Sequence, residues 1–93
     1  MDKSRIVFLI NDLLVGGAER AFINQANEFL SRGYNVFFIV LNDKKIDLDF
    51  KKELNSDIIF TKFSFTSLFG FKEFFKLVKF LRKNNINILY SRV

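Results

Sequence analysis

Residues 5–41, RIVFLINDLLVGGAERAFINQANEFLSRGYNVFFIVL, decide the fold. Arg5 followed by the apolar run 6–10, and the unbroken apolar run 36–41, flank a segment whose apolar residues recur at helical spacing. A strand covered on both faces reads as such a run, because neither of its faces meets water. Between them, residues 18–32 set Ala18, Ala21, Phe22, Ile23, Ala26, Phe29 and Leu30 on one broad arc, and Gly33 stands where a helix commonly ends. Strand, helix and strand in this order predict a parallel pair joined by a right-handed crossover.

Residues 42–56 are polar, with a helical turn expected near residues 48–54, and Ile58-Ile59-Phe60 supplies a short third strand. Residues 71–83 return to the helical period. Their spacing predicts Phe71, Phe74, Phe75, Val78 and Leu81 inward and Lys72, Lys76, Lys79 and Lys83 in one outward stripe. Phe80 falls about 180° from Phe71, outside the core-facing arc. Residues 86–90 read as a fourth strand. Doubly wound α/β logic then gives a partial Rossmann-like parallel sheet of order 3-2-1-4, one domain over residues 1–93.

Composition narrows the chemistry. An apolar fraction of 49% against 27% charged is a globular balance rather than a disordered one. Cys and His are both absent, which removes disulfides, thiolate metal sites and imidazole acid–base chemistry, so no metal and no cofactor is expected. Arg5 and the apolar run after it resemble a signal peptide only until Asn11 and Asp12 interrupt it, and no run approaches the roughly 20 apolar residues that span a bilayer. A cytoplasmic location is expected.

The segment most open to function is Gly16-Gly17-Ala18-Glu19-Arg20, where the first strand feeds the first helix at the carboxyl edge of the sheet. Ligands of open α/β sheets bind at that edge. Glycines there let a backbone approach a ligand, and unpaired amides at the helix start favour an anionic group such as a diphosphate. The same pair equally suits a plain tight turn. Glu19, in the first turn, fits either favourable placement against the helix dipole or an acceptor contact. The spacing Gly-x-Gly-x-x-Gly and a Gly-Lys-Ser/Thr phosphate loop are both absent, which argues against dinucleotide oxidoreductases and P-loop nucleotidases.

Gly16-Gly17-Ala18-Glu19-Arg20, followed by Asn24-Gln25-Ala26-Asn27-Glu28-Phe29-Leu30-Ser31-Arg32-Gly33-Tyr34-Asn35-Val36, resembles the start of retaining GT-B glycosyltransferases of the group 1 type, family 4-like. Gln25 and Tyr34 stand where that family has Leu and His, and Val15 where many members have a third glycine. The likeness extends more loosely to Ser91 and Arg92. It implies that the chain is the amino-terminal part of a GT-B domain, with Gly16, Gly17, Glu19 and Arg20 near the diphosphate of a nucleotide-sugar donor or near a glycan or lipid-linked acceptor. It further implies that the carboxyl-terminal donor-binding domain, with its glutamate pair, lies outside these residues, so that the chain alone is inactive and needs that domain or a subunit. Two alternatives stay open: a non-catalytic subunit completing a split glycosyltransferase, and an unrelated nucleotide-binding α/β module.

Basicity is concentrated near the carboxyl end. The formal charge is +5, and residues 72–83 hold five cations (Lys72, Lys76, Lys79, Arg82, Lys83) against Glu73, a net +4. This stripe reads either as the solvated face of a crossover helix or as a surface for anionic lipid, with Lys72, Lys76, Lys79, Phe80 and Lys83 facing the inner leaflet of the cytoplasmic membrane. No nucleic-acid-binding motif accompanies it.

Overall fold

The structure, a computed structural model, describes residues 5–63, 70–86 and 88–92, with side chains except at residues 70–74 and 92. Elements run in the order β1 (Arg5–Ile10), α1 (Gly17–Ser31), β2 (Asn35–Val40), α2 (Leu48–Lys51), β3 (Ile59–Lys62), α3 (Gly70–Lys83) and β4 (Ile88–Arg92). The four strands form one sheet of order β3-β2-β1-β4, parallel at every pairing. The fold is thus the expected partial Rossmann-like α/β arrangement. Among the described residues, no helix is long and apolar enough to cross a membrane.

Alternation along the central strands sorts the core into two faces, since successive strand residues point to opposite sides. Ile6, Phe8 and Ile10 with Val36, Phe38 and Val40 pack beneath Ile23 and Ala26 of α1 and against Phe50, Leu54 and Ile58. Val7, Leu9, Phe37 and Ile39 face the other way, toward Leu77 of α3, with Phe63, Phe80, Leu81 and Ile86 around them. Helices on both faces explain why β1 and β2 carry no polar residue between their buried positions.

A row of aromatic rings crosses the sheet on the α1 side. Phe60 of β3, Phe38 of β2, Phe8 of β1 and Tyr90 of β4 occupy matched register positions. Their centroids lie 6.4, 6.1 and 5.1 Å apart in succession, with planes inclined by 12°, 17° and 16°. Neighbouring strands stand about 4.8 Å apart, so rings at one register are brought into stacking range by the backbone itself. Phe22 and Phe29 of α1 close over Phe8 from above, at 5.4 and 6.2 Å.

The end of α1 follows its sequence closely. Gly33 adopts φ 91° and its N–H donates to the Leu30 carbonyl, while the Tyr34 N–H donates to the Phe29 carbonyl. These are the paired bonds of a Schellman motif, and the Tyr34 ring meets Phe29 edge-on at 5.5 Å as its apolar clasp. Ala21, expected on the inner arc of this helix, is exposed.

Three further expectations need correction. In α3 the sheet-facing row is Leu77, Phe80 and Leu81, so the helix is turned relative to the predicted phase. Phe80, predicted outside the core-facing arc, instead meets Phe37 and Phe63 edge-on at 5.9 and 6.4 Å. Phe75, predicted inward, is 67% exposed. Phe71, Phe74 and Lys72 have side chains outside the described ones. Secondly, β3 begins one residue later than predicted and reaches Lys62, with Ile58 buried just before it. Finally, β4 starts two residues late, because Ile86 is drawn under α3.

Candidate functional site

The carboxyl edge of β1 is continued by hydrogen bonds that brace the loop after it. Leu41 and Asn42 donate backbone N–H groups to the carbonyls of Ile10 and Asn11, each at 2.9 Å. Leu13, fully buried, then forms a parallel bridge with Ile46: its N–H reaches the Lys45 carbonyl, and its carbonyl accepts from Asp47 N–H, both at 2.8 Å. Asp47 also caps α2 through its carboxylate, which accepts from the Phe50 N–H at 3.0 Å. The loop leading to α1 is therefore held at its middle, and Leu14 and Val15 beyond the bridge remain exposed.

Gly16 is the N-cap of α1, with extended backbone (φ −174°, ψ 165°) that any residue can adopt. Its carbonyl accepts the Arg20 N–H at 3.0 Å, and no side chain caps the helix start. The Glu19 carboxylate folds back over this position: a Cβ added to Gly16 would lie 2.5 Å from Glu19 Oε2. A Cβ added to Gly17, by contrast, would meet nothing within 4 Å. Gly17 also lacks a positive φ. Neither the backbone path nor crowding calls for glycine at that position.

Arg20 leaves this group. Its guanidinium pairs with Glu53 at 2.6 Å and lies over the Phe50 ring, 5.1 Å from the centroid. Asn27, two turns along the same helix, completes the link, donating to the Glu53 carbonyl and accepting from the Asn55 N–H, both at 2.8 Å. Arg20 and Asn27 thus fasten α1 to residues 50–55. The structure brings Gly16, Gly17 and Glu19 together at the helix start and directs Arg20 away from them. Asn27 was not singled out from the sequence, because its partners lie 26 and 28 residues away in a polar segment without periodic signal.

No family model, curated protein or solved structure matches this chain. Position within the sheet adds one element: β1 carries α1 on one face and is flanked by β4, whose incoming helix α3 lies on the other face. The strand order reverses between β1 and β4, and the crevice at such a reversal is where α/β sheets bind ligands. Register sets Ser91 beside Leu9 and Arg92 beside Ile10, so both reach the carboxyl edge on the far side of that crevice. Among the described residues, no cluster of three or more acidic side chains could hold a metal ion.

Of the cations predicted to form an outer stripe, Lys76, Lys79 and Lys83 are exposed on α3, and Lys72 lies outside the described side chains.

Proposed function

We propose that this chain forms the amino-terminal, Rossmann-like part of a sugar transferase, in which the turn at residues 15–18 meets a nucleotide-sugar donor and a glycan or lipid-linked acceptor. The observation that carries the reading is Gly17, a glycine at the first position of a helix, at the reversal point of the sheet, with open space where its side chain would be. Glycine disfavours helix formation, so its presence there is best accounted for by something outside the fold that approaches the backbone.

Two chemistries meet within this one turn. Free N–H groups at the helix start suit anionic phosphate oxygens. The Glu19 carboxylate is a hydrogen-bond acceptor that repels a second anion and suits sugar hydroxyls. The diphosphate therefore belongs on the open side at Gly17, and the hydroxyl-bearing acceptor on the side of Gly16 and Glu19. Exposed Leu14 and Val15 beside them favour an acceptor with an apolar portion. Arg20, engaged with Glu53, acts as a positioning residue that sets the helix rather than as a ligand contact.

A second reading, a non-catalytic subunit that completes a partner's site, is favoured by the β4 edge. Ile88, Leu89 and Tyr90 are exposed there, and grooves flank the strand on both faces, one along Leu81 and Ile86 and the other along Phe29 and Arg32.

The test is a titration of the isotope-labelled chain with nucleotide sugars and with glycan acceptors, joined to a transfer assay in which a donor-binding domain is co-expressed. The isolated chain should transfer no sugar, since phosphate-binding amides alone do not position two substrates. Ligand-induced resonance shifts should centre on residues 14–20 and vanish in Gly17→Val with the fold intact. Turnover by the isolated chain, or identical shifts in Gly17→Val, would overturn the reading. Equal affinity for a nucleotide without its sugar would favour an unrelated nucleotide-binding module.

A further inference from the structure

The row of stacked rings that crosses the sheet stops at Tyr90, because β4 is the edge strand. One face of the Tyr90 ring lies on Phe8, with 5.1 Å between centroids, and Phe29 leans over it at 5.9 Å and 30°. With the planes of the row nearly parallel, the other face looks past the sheet edge, where no further ring of the described residues meets it. Tyr90 is 37% exposed, and with Phe29 it lines a groove beside α1 whose remaining lining is Asn24, Gln25, Glu28 and Arg32. At 100° per residue these four polar positions fall within about 100° of the helix surface. All four are exposed. The Arg32 Nε donates to Glu28 Oε1 at 2.9 Å, so the one cation and the one anion of the lining neutralise each other. The side-chain amides of Asn24 and Gln25 have no hydrogen-bond partner among the described residues.

We propose that this groove binds a neutral oligosaccharide, with one pyranose ring laid on the open face of Tyr90 and its hydroxyls hydrogen-bonded to Asn24, Gln25, Glu28 and Arg32. A pyranose is amphiphilic in the way the groove is: its C–H bonds make an apolar face that suits the electron-rich face of an aromatic ring, while the hydroxyls around its rim each donate and accept. The two amides offer both donor and acceptor, the carboxylate accepts and the guanidinium donates, so vicinal hydroxyls find either sense of bond. Charge narrows the class. Because Glu28 cancels Arg32, a phosphate gains little here, and a single-stranded nucleic acid, which needs a basic groove beside its stacking rings, is poorly matched. Glu28 stands about 16 Å along α1 from Gly17. The groove therefore holds a glycan apart from the turn at residues 15–18, needs neither a nucleotide nor a second domain, and stands or falls apart from the sugar-transfer reading.

The experiment titrates the isotope-labelled 93-residue chain with neutral tetrasaccharides of glucose, of mannose and of N-acetylglucosamine, and with inorganic phosphate and oligouridylate as contrasts. At least one tetrasaccharide should shift the side-chain amide resonances of Asn24 and Gln25 and the backbone amides of residues 24–32 and of Tyr90. This set should be separate from any at the turn and unaltered by Gly17→Val. Since the ligand is uncharged, its affinity should stay nearly constant from low to physiological salt. Tyr90→Phe keeps the ring and should bind within about twofold of the native chain, whereas Tyr90→Ala should bind about tenfold more weakly. Tyr90→Ala also strips a neighbour from Phe8, so Gln25→Ala, at an exposed helical position, provides the variant whose fold is secure and should weaken binding about threefold. Far-UV circular dichroism confirms the fold of each variant. Absence of these shifts with all three tetrasaccharides, tighter binding of phosphate or oligouridylate, unchanged affinity in Gln25→Ala, or closure of the groove by a second copy, seen as concentration-dependent loss of the same resonances, would each overturn the proposal.

Discussion

Gly16 and Gly17 are adjacent and chemically identical, yet a side chain would meet different surroundings at each. At Gly17 a methyl group enters open space at a helical position, and alanine is the better helix former, so Gly17→Ala should leave stability unchanged or raise it by up to about 1 kcal/mol in urea unfolding. At Gly16 the methyl meets the Glu19 carboxylate, the mobile end of a flexible side chain. Gly16→Ala should therefore be mildly destabilising, by less than about 1 kcal/mol, and the loss should disappear in a Glu19→Ala background, a coupling that a double-mutant cycle measures. Asn27 shows the opposite balance between prominence and weight. Its two backbone bonds, both 2.8 Å, predict a loss of about 1–3 kcal/mol for Asn27→Ala. Arg20, with a shorter ion pair but side chains 48% and 41% exposed, should contribute less than about 1 kcal/mol through its charge. Urea midpoints at two salt concentrations separate the two, since only the Arg20 contribution is screened.

In α3, phase decides what each Phe does. Phe80→Ala should destabilise by about 1–3 kcal/mol, because it strips a partly buried ring from Phe37 and Phe63, whereas Phe75→Ala should be close to neutral in thermal unfolding. The sequence predicted the reverse orientation for both residues, and the reason is physical. Apolar residues at 71, 74, 75, 77, 78, 80 and 81 surround most of the helix, so periodicity alone admits several phases. The choice among them is made by Phe37 on β2 and Phe63 beyond β3, neither of which is local. Strand β4 was misplaced for a related reason: Ile86 belongs to the apolar run but packs under the helix, and hydropathy does not say where an apolar residue stops being strand. By contrast α1 was almost fully legible, since Gly33 and the Tyr34–Phe29 clasp are local devices that need no distant partner.

Across the whole molecule, strand order was readable from sequence because it follows from connection chirality and from alternation of strand and helix, which no single side chain can alter. The candidate site was readable only in part. Its glycines and their place at the sheet edge were visible, while the bracing of Leu13 by Ile46 and the direction taken by Arg20 depend on residues 42–55, whose polar sequence carries no period. Stability should be graded in the same way. Residues of β1 are flanked by strands on both sides and buried along most of their length, whereas among the described residues β4 pairs with β1 alone and keeps Ile88, Leu89 and Tyr90 exposed. Amide hydrogen exchange should accordingly be slowest in β1 and faster by orders of magnitude in β4. Equal protection in the two strands would mean that another chain covers the edge.

The stacked row of Phe60, Phe38, Phe8 and Tyr90 has a meaning for assembly errors. Strands built almost wholly from Ile, Val, Leu and Phe bury nearly as much apolar surface when slid by two residues as when correctly aligned, since such a slide keeps every side chain on its own face. Hydrophobicity is thus a poor judge of alignment in this sheet. Flat rings judge it far better: a two-residue slide of β2 would set Phe38 against Ile6 or Ile10 and leave Phe8 without its neighbour, breaking the stack at its centre. The row is the sheet's own vernier, marking the one alignment in which all four strands agree.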